Sequence, residues 1–154
     1  MKNLFLIICL SASLCAQNPD QDGVYKFSGK HFLASYLHCD TKAMCDLQGL
    51  MNAMDLAVQS SGATVLDRCS YVFPPHGITI VYLLSESHAS LHTYPEFGSC
   101  FVDLFTCGAH CSATAFDTAL RDYLHPQETD VRYLQRNDQS QEIPFPDRLH
   151  NELE

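Results

Sequence analysis

Basic residues are scarce in this chain of 154 residues. Lysine and arginine together number 9 against 18 aspartates and glutamates, which gives a formal net charge of -9. Nucleic acids and anionic membrane surfaces are bound through basic patches, so this balance argues against nucleic acid or a membrane surface as partner. A cationic ligand is compatible with the charge, but a solvated acidic surface is the simpler explanation.

No Cys-x-x-Cys pair occurs among the eight cysteines, so nothing supports a zinc ribbon or a thioredoxin motif. The candidate ligands for a metal ion are Cys107, His110, Cys111 and His92. Their spacing matches no known metal-binding motif, so we predict no metal site. Most of the cysteines lie in apolar contexts, which predicts reduced core residues. Removal of an N-terminal signal would leave six, an even number that a secreted protein could pair.

No apolar run is long enough to cross a membrane. Lys2 is followed by NLFLIICLSASLCA, which is well short of the roughly 20 residues that a spanning helix needs. This layout is typical of a secretory signal with cleavage after Ala16, although Leu14 fits the small-x-small rule poorly. Residues 1–16 are therefore interpreted as either a signal peptide or an apolar extension.

The hydrophobic pattern predicts one α+β domain. Short apolar or alternating runs predict strands at 31–39, 63–73, 78–85, 89–94, 100–107 and 129–135. An apolar stripe with helical spacing runs from Ala43 to Val58, and Ser112 can cap a second helix. This order predicts a two-layer sandwich, with a mostly antiparallel sheet and two helices on one face. Residues 17–29 are expected to be a linker, 30–136 the domain, and 137–154 a loose polar tail.

The bend between the third and fourth strands lacks the Gly, Asn or Pro that is usual in a tight hairpin. Ser85, Glu86, Ser87 and His88 occupy it, where a tight hairpin normally has Gly, Asn or Pro. The G-x-S-x-G elbow of many serine hydrolases is also missing. Taken alone, a serine in such a bend is most simply a turn residue.

A wider set of motifs gives this bend a function. LSESHASLHTYPEFG, followed by VDLFTCG, closely resembles the prokaryotic-type S-adenosylmethionine decarboxylases, which make their own pyruvoyl cofactor. The resemblance runs from about Lys30 to Tyr123 and also includes the GKHF lead into the first strand and the PHG turn at 75–77. The motifs occur in order and at the family's spacing, which makes the resemblance specific.

The resemblance implies a role for each matching residue. Ser87 would attack the carbonyl of Glu86 and convert that amide into an ester. His92 would help to remove a proton, so that elimination cuts the chain and leaves a pyruvoyl group at the head of the 87–154 fragment. A pyruvoyl ketone forms a Schiff base with the substrate amine and acts as an electron sink for decarboxylation. Cys107 would protonate the substrate carbon after carbon dioxide leaves.

Three further positions match the family less directly. Thr79 lies where the family carries Ser or Thr, a hydroxyl suited to assisting the processing reaction. Phe73 matches an aromatic residue that contacts the adenine ring, and Glu96 matches a carboxylate near the substrate that could bind ribose hydroxyls. Without the resemblance, Phe73 would be a core residue at a strand end and Glu96 an exposed residue beside a turn.

The sequence also departs from the family pattern. Pro74 and Ile80 replace smaller or polar residues around the PHG turn, and we expect Ile80 to make the pocket wall bulkier. AHCSAT follows the FTCG motif, in place of an acidic helix lead. These departures keep two alternatives open: a pyruvoyl-dependent ornithine or arginine decarboxylase, and a secreted, disulfide-bonded binding domain without activity.

Partners and location follow from the resemblance alone. It implies a small-molecule substrate, S-adenosylmethionine, whose decarboxylation supplies the aminopropyl donor for spermidine biosynthesis. It also implies a homodimer with sites completed across the interface. The family is cytoplasmic, which suits a free Cys107, whereas the signal-like N-terminus leaves secretion open.

Overall fold

A computed structural model describes residues 27–146, which form an antiparallel sheet covered by helices on one face. The seven strands lie in the order β2-β3-β4-β5-β1-β6-β7. They are β1 (Gly29–Leu37), β2 (Val65–Phe73), β3 (Gly77–Leu84), β4 (Ser87–Tyr94), β5 (Ser99–Thr106), β6 (Glu128–Arg136) and β7 (Gln141–Glu142). The helices are α1 (Thr41–Cys45), α2 (Leu47–Ser61) and α3 (Ala113–Leu124), with a 3₁₀ turn at Pro95–Phe97.

The first predicted helix is divided in two at Asp46. Asp40 caps α1, since its carboxylate accepts the backbone N–H groups of Lys42 and Ala43. Asp46 ends α1 and caps α2 in the same way, accepting the N–H of Gly49 at 3.0 Å. Gly62 ends α2 in the left-handed region, as predicted. Ser112 caps α3, because its hydroxyl accepts the N–H of Ala115.

Alternate strand residues divide the sheet into an inner face and an outer face. Inner-face side chains such as Phe32, Ile80 and Leu104 are buried against the helices, where Met54 and Phe116 meet them. The two-layer α+β fold predicted from the sequence is confirmed, and burial of this apolar layer is its main source of stability. No helix among residues 27–146 is long and apolar enough to cross a membrane.

The outer face of the sheet exposes large apolar side chains, and no helix of residues 27–146 packs on it. Val81 and Leu83 on β3 alternate with the buried Ile80 and Tyr82, so they point away from the helices. The large apolar residues exposed on this face are Tyr71, Phe73, Val81, Leu83, Tyr94 and Phe101. An apolar surface of this kind is typical of a protein interface.

The segment after β6 is better ordered than the predicted loose tail. The N–H of Ile143 donates to the carbonyl of Tyr133 at 2.8 Å, and the Phe145 ring packs on Phe32 and Tyr133. The segment holds an apolar residue on either side of Pro144, and these two side chains cover the edge of the core. The predicted signal segment, the first ten residues of the linker and the end of the tail lie outside the described residues.

Candidate active site

The bend between β3 and β4 is a two-residue turn with an unusual backbone at its exit. Leu84 pairs with Ser87, which leaves Ser85 and Glu86 in the turn. Ser87 has a φ of 150°, a value that side chains with a β-carbon normally avoid. Such a conformation costs on the order of 1–3 kcal/mol and is concentrated at functional sites. The Glu86–Ser87 peptide is therefore held under strain.

The carbonyl of Glu86 is held by the backbone of the neighbouring strand. Ser87 pairs with Thr106, the last residue of β5, and the N–H of Cys107 donates to the Glu86 oxygen at 2.9 Å. A donor in this position polarises the carbonyl and stabilises the negative charge that develops when a nucleophile adds to it. The predicted approach of strands four and five is confirmed, and it brings Cys107 beside the Glu86–Ser87 bond.

The side chain of Glu86 is fixed on the other side of the turn. Its Oε2 accepts the N–H of Thr64 at 2.9 Å. Burial alone would raise the pKa of Glu86, but hydrogen bonds from Ser85 and Thr64 outweigh it and hold the pKa below its ordinary value. Gly108 makes room for this side chain, since a β-carbon there would lie 2.9 Å from Cγ of Glu86. The glycine of the FTCG motif thus has a steric explanation.

His88 contacts the predicted nucleophile directly, and the sequence analysis gave it no role. Its Nδ1 lies 3.2 Å from Oγ of Ser87. The signal available in the sequence was its position next to Ser87, but adjacent residues on a strand usually point to opposite faces. The unusual φ of Ser87 alters this alternation, and a sequence does not display a backbone angle.

His92 and Thr79 form a second group farther along the same strands. They are paired across β3 and β4, and Oγ1 of Thr79 lies 2.9 Å from Nδ1 of His92. Five residue steps along β4 separate His92 from Ser87, which places their Cα atoms about 16 Å apart. Within one chain the structure therefore does not bring His92 and Thr79 to Ser87.

The two predicted substrate-binding residues also lie away from Ser87. Phe73 is half exposed at the end of β2, where its ring meets that of Tyr71 with centroids 4.6 Å apart. Glu96 is exposed in the 3₁₀ turn that follows β4. Because Phe73 pairs with Gly77 and Thr79 with His92, Phe73 belongs to the His92 end of the sheet. Tyr71 is a further aromatic residue there that the sequence analysis missed.

An open concavity on the outer face contains His92 but neither Ser87 nor Cys107. Its volume is about 460 Å³. It is lined by Leu33, Ala34, Ser35, His92, Tyr94, Phe101, Asp103, Asp130 and Arg132. The predicted site residues thus fall into two groups, a cleavage group of Glu86, Ser87 and Cys107 and a distal group of Phe73, Thr79 and His92. The structure adds His88 to the cleavage group.

Ile80 does not line a pocket, contrary to our expectation. Its side chain is fully buried on the inner face, among the helices. The expectation was wrong because β3 is apolar almost throughout, which hides the alternation between faces. Pro74 is exposed in the turn before β3. Ile80, the departure from the family pattern from which we expected a bulkier pocket wall, therefore lies in the core.

The cysteines and histidines of the domain show neither pairing nor a ligand set. All six cysteines among residues 27–146 are free, Cys107 included. Within the same residues, no three His, Cys, Asp or Glu side chains are placed to hold a metal ion. A free and exposed Cys107 argues against the secreted, disulfide-bonded domain, which requires this residue to be paired.

The fold and the geometry of the site together are typical of a protein that processes its own chain. The family profile described as S-adenosylmethionine decarboxylase matches residues 30–137. The chain therefore belongs to the S-adenosylmethionine decarboxylase family.

Individual relatives agree with this assignment. The S-adenosylmethionine decarboxylase proenzyme of Methanococcus aeolicus is 37% identical over 111 residues, which are 72% of this chain and 95% of that protein. The proenzyme of the same description from Thermosipho africanus is 32% identical over 129 residues, covering 84% and 98%. The crystal structure of the adenosylmethionine decarboxylase from Aquifex aeolicus superposes with a TM-score of 0.64 at 30% identity, covering 83% of this chain and 100% of that one.

Proposed function

We propose that the chain is a proenzyme that cuts itself between Glu86 and Ser87 and then decarboxylates S-adenosylmethionine. The product is the aminopropyl donor for spermidine synthesis. The observation that carries the proposal is the Glu86–Ser87 peptide, whose carbonyl accepts the Cys107 N–H while Ser87 is held at a φ of 150°. A strained amide with a polarised carbonyl and an adjacent hydroxyl is what an amide-to-ester rearrangement needs.

The processing reaction uses groups of the chain itself. Oγ of Ser87 adds to the Glu86 carbonyl, and the C–N bond breaks to give an ester. Removal of the Cα proton of Ser87 then expels the Glu86 carboxylate, which becomes the C-terminus of the first fragment. The amino-acrylyl end that remains tautomerises and takes up water, losing ammonia. The resulting pyruvoyl group supplies the electron sink for decarboxylation.

Cys107 is placed to act twice. Its backbone N–H stabilises the oxyanion during processing, and its thiol, on the same residue, is available to protonate the substrate carbon after carbon dioxide leaves. A free thiol is required, which is why we place the mature protein in the cytoplasm.

The distal group completes the site from a second copy of the chain. Because His92 lies about 16 Å from Ser87 along β4, it reaches a Ser87 only if another protomer supplies it. The outer face carries His92 of the distal group and His88 of the cleavage group, exposes large apolar side chains, and is the surface through which two copies would pack. On this arrangement His92 removes the Cα proton with Thr79 as its hydrogen-bond partner, Phe73 stacks on the adenine, and Glu96 binds the ribose hydroxyls.

The proposal is tested by the intact mass of the purified protein under denaturing, reducing conditions. We expect two fragments divided between Glu86 and Ser87, the second lighter by one ammonia than a hydrolytic fragment beginning at Ser87. The Ser87→Ala variant should remain one chain. A native chain that stays whole after time to mature, or a variant that is still cut at this bond, would refute self-processing.

Substrate choice is tested separately on the processed protein. S-adenosylmethionine, ornithine and arginine are offered in turn, and carbon dioxide release and the amine product are measured. Turnover of S-adenosylmethionine is expected, since the relatives described above are S-adenosylmethionine decarboxylase proenzymes. Turnover of ornithine or arginine in its place would keep the processing chemistry and overturn the substrate assignment.

A further inference from the structure

His88 is the side chain that the structure places against the Ser87 hydroxyl. Its Nδ1 lies 3.2 Å from Oγ, within reach of a hydrogen bond. A neutral imidazole with its proton on Nε2 presents the lone pair of Nδ1 to that hydroxyl. The ring is therefore placed to accept the proton that Oγ must lose before it can attack a carbonyl.

The His88 ring is held by an aromatic cluster on the outer face. Its centroid lies 5.7 Å from that of Phe105 and 6.3 Å from that of His31, and these two rings are 5.4 Å apart. Gly29 allows the cluster to form, because a β-carbon there would lie 2.5 Å from the Phe105 ring. The position of the imidazole is thus fixed by residues of β1 and β5 as well as by its own strand.

Polar contacts fix the other members of the cluster. Nε2 of His31 lies 3.9 Å from Asp103, which also accepts the Ser90 hydroxyl at 3.0 Å. The guanidinium of Arg136 lies 4.5 Å above the Phe105 ring. Burial lowers the pKa of His31 despite the nearby Asp103, which favours a neutral ring beside His88. His31 and Phe105, which contact the His88 ring, are thus themselves held in place, and Nδ1 of His88 lies next to Ser87.

We propose that His88 is the base that starts processing, a role that rests on the proposed self-cleavage. As Oγ bonds to the Glu86 carbon, its proton passes to Nδ1 of His88, and the oxyanion is held by the Cys107 N–H. The imidazolium then returns the proton to the departing Ser87 nitrogen as the C–N bond breaks. The products are the ester and a neutral imidazole, with no other reactant needed. His92 acts only afterwards, on the Cα proton.

The experiment follows chain cleavage, by denaturing gel and intact mass, in freshly purified precursors. His88→Asn keeps a polar atom near Nδ1 but removes the base, and His88→Ala leaves a space that added imidazole can enter. His125→Asn is the matched control, since this exposed histidine ends α3 in a left-handed conformation that asparagine tolerates. Hydroxylamine reports the ester, because it cleaves esters under conditions that leave amides intact.

We expect both His88 variants to be cut at least about 100-fold more slowly than the native chain and the control. Uncut His88→Asn should resist hydroxylamine, whereas uncut His92→Ala should be cleaved by it at residue 86, because the ester has already formed there. Imidazole should speed cleavage of His88→Ala, which a purely structural role would not explain.

Three results would overturn the proposal. His88 variants that are cut at the native rate, or an uncut His88→Asn chain that hydroxylamine cleaves, would show that the ester forms without His88. Failure of imidazole to speed a folded His88→Ala chain would contradict the role of base. A native chain that is never cut would instead remove the proposed function, and with it this role.

Discussion

Ser87 combines a reactive hydroxyl with a backbone angle that its β-carbon disfavours. Among the described non-glycine residues, φ is positive only at His38, Ser87 and His125. The other two flank a strand end and a helix end, where such angles are common, whereas Ser87 begins a strand. Hairpin turns of two residues normally place positive φ within the turn. Here the turn residues lack it, and the distortion falls on Ser87, the residue that we propose reacts.

This strain can be measured in chains that do not cut themselves. Neither Ser87→Gly nor Ser87→Ala can form the ester, so both remain whole. Because glycine adopts a φ of 150° freely, Ser87→Gly should be more stable than Ser87→Ala by on the order of 1–2 kcal/mol. Chemical unfolding at one protein concentration provides the measurement.

A neighbouring position serves as the control for this prediction. Ser85 lies in the same turn without a positive φ, so in the Ser87→Ala background Ser85→Gly should be no more stable than Ser85→Ala. If glycine raised the free energy of unfolding equally at both positions, the effect would belong to the whole turn. Specific strain at Ser87 would then be disproved.

At Cys107, substitution can separate the effect of the backbone N–H from that of the thiol. Cys107→Ala keeps the N–H that holds the Glu86 carbonyl but removes the thiol, so cleavage should proceed at close to the native rate. Decarboxylation should fall by about 100-fold or more, as expected when a general acid is lost. Mass spectrometry reports the first quantity and carbon dioxide release the second. Cys45→Ala, at the exposed end of α1, should change neither, and a fully active Cys107→Ala chain would remove the thiol from the mechanism.

At the scale of elements, the loop that follows β5 decides how tightly the cleavage group is held. A β-carbon at position 108 would lie 2.9 Å both from Cγ of Glu86 and from Sγ of Cys111. Gly108→Ala should therefore displace Glu86, weaken the hydrogen bond from Cys107 and slow cleavage, at a cost in stability of about 1–3 kcal/mol. The cleavage half-time and the unfolding midpoint measure the two effects.

A second substitution tests whether crowding is the cause of the slower cleavage expected for Gly108→Ala. Adding Cys111→Ala removes one of the two close contacts, so the double variant should regain part of the lost cleavage rate. If the double variant is no faster than Gly108→Ala, the crowding involves Glu86 alone or is absent.

The sequence predicted these elements well wherever their pattern was unambiguous. The six predicted strands lie within two residues of their predicted bounds, and the cap at Ser112 and the helix end at Gly62 were correct, whereas β7 was not predicted. The break at Asp46 was missed because this residue lies within a continuous apolar stripe, and only its hydrogen bond to Gly49 shows that a new helix begins. The packing of Ile143 and Phe145 was missed because these two apolar residues lie in a mostly polar, Pro-containing segment.

Only part of the candidate site was predictable from the sequence. Motif resemblance named Ser87, His92 and Cys107, and the short connection between β4 and β5 predicted that Cys107 lies near Ser87. The distance between His92 and Ser87 follows from strand spacing, because two residues five positions apart on one extended strand cannot contact each other. The contact of His88 with Ser87 and the burial of Ile80 depend on backbone angles and on face alternation, which the sequence does not display.

At the scale of the whole molecule, the two groups of site residues suggest that a single chain is incomplete. Ser87 and Cys107 lie at one end of β4 and β5, and His92 with Thr79 lies near the other. The outer face of this sheet exposes large apolar side chains, and no helix among the described residues covers it. An isologous dimer packed through this face has two equivalent sites. Each site would combine the cleavage group of one protomer with the distal group of the other.

Two inactive chains should therefore complement each other when their changes lie in different groups. Ser87→Ala and His92→Ala are each expected to remain uncut alone. In a mixed dimer, the His92→Ala chain supplies Ser87 and Cys107, and the Ser87→Ala chain supplies His92. With equal co-expression about half of the His92→Ala chains should then be cut. Different affinity tags identify the cut chain by mass.

Changes within one group should not complement. When Ser87→Ala is co-expressed with Cys107→Ala, no protomer offers both a native Ser87 and the thiol, so decarboxylation should stay at the level of Cys107→Ala alone. Cleavage of the His92→Ala chain by itself, or its absence from verified mixed dimers, would show that each chain carries its own complete site. The separation along β4 would then have to be closed by a movement within the protomer, and the outer face would need another explanation.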